Sequence, residues 1–459
     1  MIRTDAFTTL TPADTPSLRQ TRRVRRFFTL LAVLLIGLAM GGKGFAYVGM
    51  SPVFIGEVTL LLGLIVVGLE PRFLRIFESP VSMLITLFMV WGLIRTLPYF
   101  STYRVTALRD AVVWIYAAWA MIVAGLLICY PSMLRRLLAG YRTYAVVFLV
   151  IMPAIFLLSK LGKPYLPRWP GTHVPIISLK GGDFMIQVSA ITAFILAGLH
   201  QQRKAWVVLL IPVCLLLGGT TTRGGLVSFG GALLVTIALC PNNRTVWKVV
   251  AGSLILLTVF YAVDVKLPST RGDREVSVRQ LVDNATSLLG ADDARNLEST
   301  KEWRLNWWAD IWGYTFAGDY FWGGKGFGVN LATDDGYQVT QGELLRSPHN
   351  GHMTVLARSG VPGFMLWLGL QSVWIFLMFD RLFRARRVGR ETWSSLFVFL
   401  IAAWTAMMLN TSFDVYIEGP VGGIWLWCVM GVGMAAAHLY MTQPEVLEDH
   451  APGVLRRMD

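Results

Sequence analysis

Five residues carry side chains whose chemistry is out of keeping with the apolar chain around them: Arg223, Arg304, Arg346, His349 and Asn350. His349 stands in Arg346-Ser347-Pro348-His349-Asn350, where a polar stretch of about 85 residues gives way to an apolar one. With an ordinary pKa near 6.5, an imidazole can accept a proton from a hydroxyl at neutral pH. At such a junction it can meet a lipid-borne substrate from one side and water from the other. Arg304 lies in the same polar stretch, and its guanidinium presents a planar fork that matches phosphate bidentately and keeps its charge. Arg223 sits in Gly218-Gly219-Thr220-Thr221-Thr222-Arg223-Gly224-Gly225, a short connection between two apolar runs. A cation at that depth is costly unless it is paired or faces water, so function is its default reading. The glycines let a ligand approach the backbone, and the threonines add hydroxyls.

Each residue also has a plainer reading. Arg223 can snorkel from a helix end. Arg304 can be an ordinary ion-paired side chain, and a lone histidine is usually not catalytic. His349 and His352 are three apart, with Asp334, Asp335 or Glu343 available to complete a metal site, but nothing in the spacing fixes that geometry, so no metal is expected. The chain has no Gly-x-Ser-x-Gly elbow for a serine hydrolase. Gly323-Gly324-Lys325-Gly326-Phe327-Gly328 can wrap phosphate with backbone amides, yet it lacks the strand-turn-helix setting of a nucleotide loop, which favours a tight turn.

The elements that must position these residues are set by composition. Of 459 residues, 54% are hydrophobic and 15% charged, with 17 Trp and a mean hydropathy of +0.55, so lipid must be the solvent for most of the chain. Stretches of the spanning kind, roughly 17–25 apolar residues, occur near 27–41, 52–69, 80–97, 110–129, 141–159, 183–199, 205–220, 225–240, 246–263, 361–379, 393–410 and 421–441. The expected fold is therefore an all-α integral membrane protein with about twelve transmembrane helices. Its parts are an N-terminal tail over 1–26, one membrane domain over 27–441 and a C-terminal tail over 442–459, with a large outer loop over about 265–349.

The net charge of +13 is unevenly spread. Arg19, Arg22, Arg23, Arg25, Arg26, Arg135, Arg136, Arg142, Arg203, Lys204, Arg244, Lys248, Arg381, Arg384, Arg386, Arg387 and Arg390 all fall on one side under an even span count. That is the positive-inside pattern, which explains the excess better than a nucleic-acid footprint does. It puts both termini in the cytoplasm and the long, acidic loop outside. The basic start followed by an apolar run reads as an uncleaved first helix. Cys129, Cys214, Cys240 and Cys428 lie in or at the ends of spans and form neither a disulfide framework nor a metal spacing.

Within the loop, Ser299-Thr300-Lys301-Glu302 fits a capping box. Trp303, Trp307, Trp308, Ile311 and Trp312 then follow at helical spacing as one apolar face. That face can pack onto the bundle or lie at headgroup level.

At His349-Asn350, followed after nine residues by Gly360-Val361-Pro362-Gly363, the chain resembles the O-antigen ligase family, integral-membrane glycosyltransferases that include polysaccharide polymerases. Arg223-Gly224-Gly225, Arg304 with its Trp residues, and Gly324–Gly328 fit the resemblance, which covers roughly 200–375. Phe364-Met365 depart from it, because the ligase form usually has two threonines there. The resemblance implies a membrane glycosyltransferase C type fold and a metal-independent, inverting transfer at the periplasmic face of the bacterial inner membrane, with no cofactor. The donor would be an undecaprenyl-diphosphate-linked glycan, and the acceptor the lipid A core of lipopolysaccharide or, for a polymerase, a lipid-linked repeat unit. By the same resemblance Arg223 and Arg304 would hold the diphosphate and His349 would be the general base, with Arg346 and Asn350 in secondary roles. A non-enzymatic transporter of lipid-linked sugars is the remaining alternative.

Overall fold

The computed structural model describes residues 17–200, 205–240, 244–263, 277–288, 295–339 and 345–448. Asp273, Glu275, Asp292, Asp293 and Glu343 of the acidic loop lie outside the described residues, as do Arg203, Lys204 and the side chains of Glu298 and Ser299. The first half of the chain forms α1 (Leu18–Gly41), the one-turn α2 (Lys43–Ala46), α3 (Ile55–Gly68), α4 (Pro80–Tyr103), α5 (Val105–Ile115), α6 (Ala118–Cys129), α7 (Ser132–Leu161) and α8 (Gly181–Leu196). Then come α9 (Ala205–Gly219), α10 (Arg223–Leu239) and α11 (Arg244–Ala262). The segment between α11 and the last long helices holds α12 (Val278–Leu288), α13 (Arg295–Phe316) and α14 (Leu331–Asp334). The chain closes with α15 (Gly351–Arg387), α16 (Glu391–Thr411), α17 (Pro420–Thr442) and α18 (Glu445–Glu448). A two-residue hairpin pairs Gly49 with Phe54 and Met50 with Val53.

Each apolar stretch read from the sequence coincides with a helix or a joined pair. Among the described residues, six helices (α1, α4, α7, α15, α16 and α17) are long and apolar enough to cross a membrane, and a seventh span results if α5 and α6, bent by 41°, count as one. Five more apolar helices are shorter. The chain is thus an all-α, multi-pass membrane protein. At its centre α10 packs between α8 and α16, α17 lies on α6, and α15 lies on α4 and α16. The lipid-facing sides stay apolar: Leu61 and Ile65 of α3 and Met83 and Leu97 of α4 are exposed. α1 begins well ahead of the apolar run at 27. Ser17 caps it, with Ser17 Oγ accepting from Gln20 N at 3.2 Å and Gln20 Oε1 from Ser17 N at 2.8 Å.

Contacts between connections fall into two sets. At one end the Lys43 amide donates to Ser178 O, Arg95 Nε to Gly323 O, and Lys180 Nζ to Asp414. At the other, Arg142 Nε donates to Leu199 O, Tyr130 OH to Glu70, Trp393 Nε1 to Pro444 O, and Arg390 pairs with Glu448. The arginines of the second set belong to the basic side read from the sequence.

α15 is two helices in one. Gly360 has φ 69° and ψ −176°, a conformation open only to glycine, and Pro362 has no N–H to donate. The break frees the carbonyls of Ala357, Arg358 and Ser359. They accept instead from Lys325 N at 2.7 Å, Gly326 N at 3.1 Å and Trp91 Nε1 at 2.9 Å, while Val361 N turns to Phe321 O at 2.8 Å. The glycine-rich turn after α13 is therefore the other half of this joint. Its glycines are required by contact, since a Cβ on Gly324 would come 2.6 Å from Ala357 O.

α13 starts at Arg295, so Ser299 lies inside the helix and is not its cap. Its Trp face packs mainly onto the returning chain. Trp307 and Ile311 are fully buried, and Trp307 Nε1 donates to Asp335 Oδ2 at 2.6 Å. Trp312 stacks on Phe316 but stays half exposed, as expected of a ring at the membrane interface. Lys325 pairs with both Asp334 and Asp335 beneath Tyr314.

Candidate active site

His349 is the residue just before the cap of α15. The Asn350 side-chain oxygen accepts from the backbone amides of His352 at 3.0 Å and Met353 at 3.2 Å, which makes Asn350 the helix cap. His349 itself has φ 53°, a left-handed conformation that a side-chain-bearing residue adopts at a cost. Its neighbours hold it there: Trp308 Nε1 of α13 donates to Pro348 O at 2.9 Å, and Arg346 Nη2 donates to Asp110 Oδ2 at 2.8 Å and Gly328 O at 3.0 Å. Arg346 is thereby committed to a structural carboxylate. The imidazole is one-third exposed, and its Nδ1 stands 3.6 Å from Asp414 Oδ1.

Asp414 lies in the connection between α16 and α17, and both its oxygens are 3.2 Å from Lys180 Nζ at the start of α8. Burial would push this carboxyl up. The His349 side chain, the Lys180 ammonium and the Val415 amide outweigh that and hold it well below the usual carboxylate range, so it stays an anion. For Lys180 the balance runs the same way: burial disfavours the ammonium, but Asp414 and Asp183 raise its pKa.

The same short connection meets Arg304 and the residue that follows Arg223. Arg304 Nη1 of α13 reaches Phe413 O at 3.4 Å, and its buried Nε has no partner among the described residues. Burial lowers the pKa of this guanidinium, and the Asp414 carboxylate pulls in the opposite direction. Arg223 is the first residue of α10, whose cap Thr222 accepts from Gly225 N at 3.3 Å. The next residue, Gly224, lies against Phe413, where an added Cβ would come 2.9 Å from Phe413 Cβ. Thr221 in turn lies on Gly181, beside Lys180. Arg304, His349 and Gly224, the residue after Arg223, are far apart in sequence and all lie against Phe413-Asp414. Sequence reasoning missed Lys180 and Asp414. Each is one of several charges in its connection, Lys180 with Lys163 and Arg168 and Asp414 with Glu418, and the available signal was that both connections lie on the same side as Arg223 under an even span count.

His352 sits elsewhere. Trp367 Nε1 donates to its Nδ1 at 3.1 Å, and its Nε2 faces Met408 O at 3.4 Å. Its ring is a core group whose two nitrogens already have partners.

The arrangement offers a proton acceptor backed by a carboxylate, with two guanidinium-bearing elements at its side. Residues 206–368 match the family model described as O-antigen ligase. No curated protein matches the chain. The matched stretch begins near the start of α9 and runs past the break in α15, so it contains Arg223, Arg304, His349 and the Gly360–Gly363 motif. Ligase- or polymerase-type transfer of glycans from lipid-linked substrates is the activity of that group. Over residues 206–368, this chain is similar to the O-antigen ligase family.

Proposed function

We propose that the protein transfers a glycan from undecaprenyl diphosphate to a sugar hydroxyl at the periplasmic face of the bacterial inner membrane, without a metal ion or other cofactor. The observation that supports this reading is that Arg304, His349 and Gly224, the neighbour of Arg223, all lie against Phe413-Asp414. In this account the guanidinium groups hold the diphosphate and stabilise the charge that grows as it departs. Asp414 faces Nδ1 of His349 and favours a proton there, which leaves Nε2 with the lone pair for the acceptor. The acceptor hydroxyl gives its proton to Nε2 as its oxygen attacks the anomeric carbon. The bond from that carbon to the diphosphate oxygen breaks, its electron pair leaves with the diphosphate, and configuration inverts. The 3.6 Å between Nδ1 and Asp414 is a resting distance that shortens when substrate excludes water.

Twelve spans are part of the proposal. Support comes from the two sets of connection contacts: with twelve alternating spans, the connections bearing Lys180, Arg223, His349 and Asp414 all fall outside, and the basic ones inside. Transfer to a lipid A core is the first reading. Polymerisation of lipid-linked repeats is the second, favoured by Phe364-Met365 in place of two threonines. The test is transfer by the purified protein in detergent, using lipid-diphosphate glycan extracted from the parent strain. Product formed without any gradient supports an enzyme; its absence in a folded preparation points to transport. In a deletion strain, long chains lost with one capped unit retained indicates a polymerase. All capping lost, with lipid-linked polymer accumulating, indicates a ligase.

A further inference from the structure

A single carboxylate oxygen ties together the segment that carries His349. Asp110 Oδ2, on α5, accepts from Arg346 Nη2 at 2.8 Å, from the Gly328 amide at 3.1 Å, and pairs with Arg358 Nη2 at 3.0 Å. Arg346 lies three residues before His349 and Arg358 nine residues after it. The carboxylate therefore fastens both ends of the stretch that contains the base. Arg358 is almost wholly buried, and its Nη1 also donates to Gly326 O at 3.2 Å and Val329 O at 3.1 Å. Between the two arginines, Ser347 and Thr354 both bond the Glu418 carboxylate, the Thr354 contact being 2.7 Å. Pro348 O is held by Trp308. Residues on both sides of His349 are thus fixed by separate elements, while His349 alone takes a left-handed backbone and turns its ring to solvent and Asp414. A strained conformation persists where the surroundings over-determine it.

We propose that Asp110 is a positioning residue for the transfer: it sets where the His349 imidazole stands by holding Arg346 and Arg358 on one oxygen atom. It touches neither substrate in this account and contributes nothing to donor binding. The proposal rests on His349 being the base.

The test is a pair of variants read for turnover and donor KM separately, using purified protein and lipid-diphosphate glycan extracted from the parent strain. Asp110→Glu keeps the charge that two buried guanidiniums need but moves the oxygen by about one bond length; misplacement by about 1 Å can cost on the order of a hundredfold. The expected result is a folded protein with normal melting temperature, kcat reduced at least about tenfold, and donor KM within about twofold of wild type. Asp110→Asn should show a larger loss, together with lower stability, because it strands two buried cations. A folded Asp110→Glu protein with wild-type kcat overturns the proposal. So does a loss that appears in donor KM and spares kcat, or a protein that fails to fold, since holding the fold is then the simpler role. His349→Ala is assayed in parallel. If it keeps turnover, the base assignment fails; if it is dead while Asp110→Glu is normal, only the positioning role fails.

Discussion

Two glycine-rich turns lie in connections of this molecule, and similar composition hides different uses. In Gly323–Gly328 the amides are committed: Gly324 N donates to Tyr320 O, Lys325 N to Ala357 O, Gly326 N to Arg358 O and Gly328 N to Asp110. That turn completes a broken helix and has no amide left among these for a ligand. In Gly218–Gly225, by contrast, the chain passes from α9 into α10 and the bonded amides stay local, Thr221 N donating to Gly218 O and Gly225 N to the Thr222 hydroxyl oxygen. There the glycine lets Phe413 come close and brings Arg223 beside the connection that carries Asp414. Glycine content permits close approach; the destination of the amides decides what approaches.

The comparison can be broken at several points. The largest effect is expected from His349→Ala. Transfer should fall by about a thousandfold, within the range of lost general-base catalysis, while the yield of folded protein stays unchanged. Near-normal turnover in that variant would remove the base from the account. Next comes Arg223→Lys, which keeps the charge but loses the bidentate fork; kcat/KM for donor should drop by about a hundredfold. Wild-type donor affinity would contradict a clamp at the Gly218–Gly225 turn.

A smaller effect separates the two turns directly. Gly324→Ala puts a Cβ against the carbonyls of the α15 joint at φ 59°, and should cost about 1–3 kcal/mol of stability, seen as a lower melting temperature. Gly224→Ala presses on Phe413 and should lower transfer more than it lowers melting temperature. If the two variants exchanged these signatures, the assignment of the turns would be reversed. The smallest effect is expected from Asp414→Asn: kcat down by about tenfold with donor KM unchanged, as for the loss of a charged hydrogen-bond partner. Asp414 has a depressed pKa in the folded protein. Its stabilising contribution is therefore present above the ordinary carboxylate range and lost only as pH falls through the lower folded value. Acidification to pH 5 should leave the Lys180–Asp414 pair intact, observable as an unchanged melting temperature difference between wild type and Asp414→Asn.

Much of the architecture was legible because lipid imposes a simple rule: long apolar runs become helices, and each such run here did. Arg304 and the Trp face were placed on one helix by spacing alone. The start of α13 was misread because Ser-x-x-Glu is a local pattern, whereas the helix extends back to Arg295. Asp414 and Lys180 were not legible. Their importance arises from a contact across 234 positions of sequence, and neither stands in a local pattern that one chain displays. The joint at Gly360 was not read from the sequence: the Gly-Val-Pro-Gly run stood out only as a family motif, and the fold shows that it breaks α15 and that the freed carbonyls are answered by the turn at Gly323–Gly328.

The most direct test of the central claim is an experimental structure of the protein with a lipid diphosphate bound. The account predicts the two phosphates within hydrogen-bond reach of both Arg223 and Arg304, with the first sugar facing His349 Nε2. A diphosphate seated instead on the Gly323–Gly328 turn, or held by neither guanidinium, would contradict it.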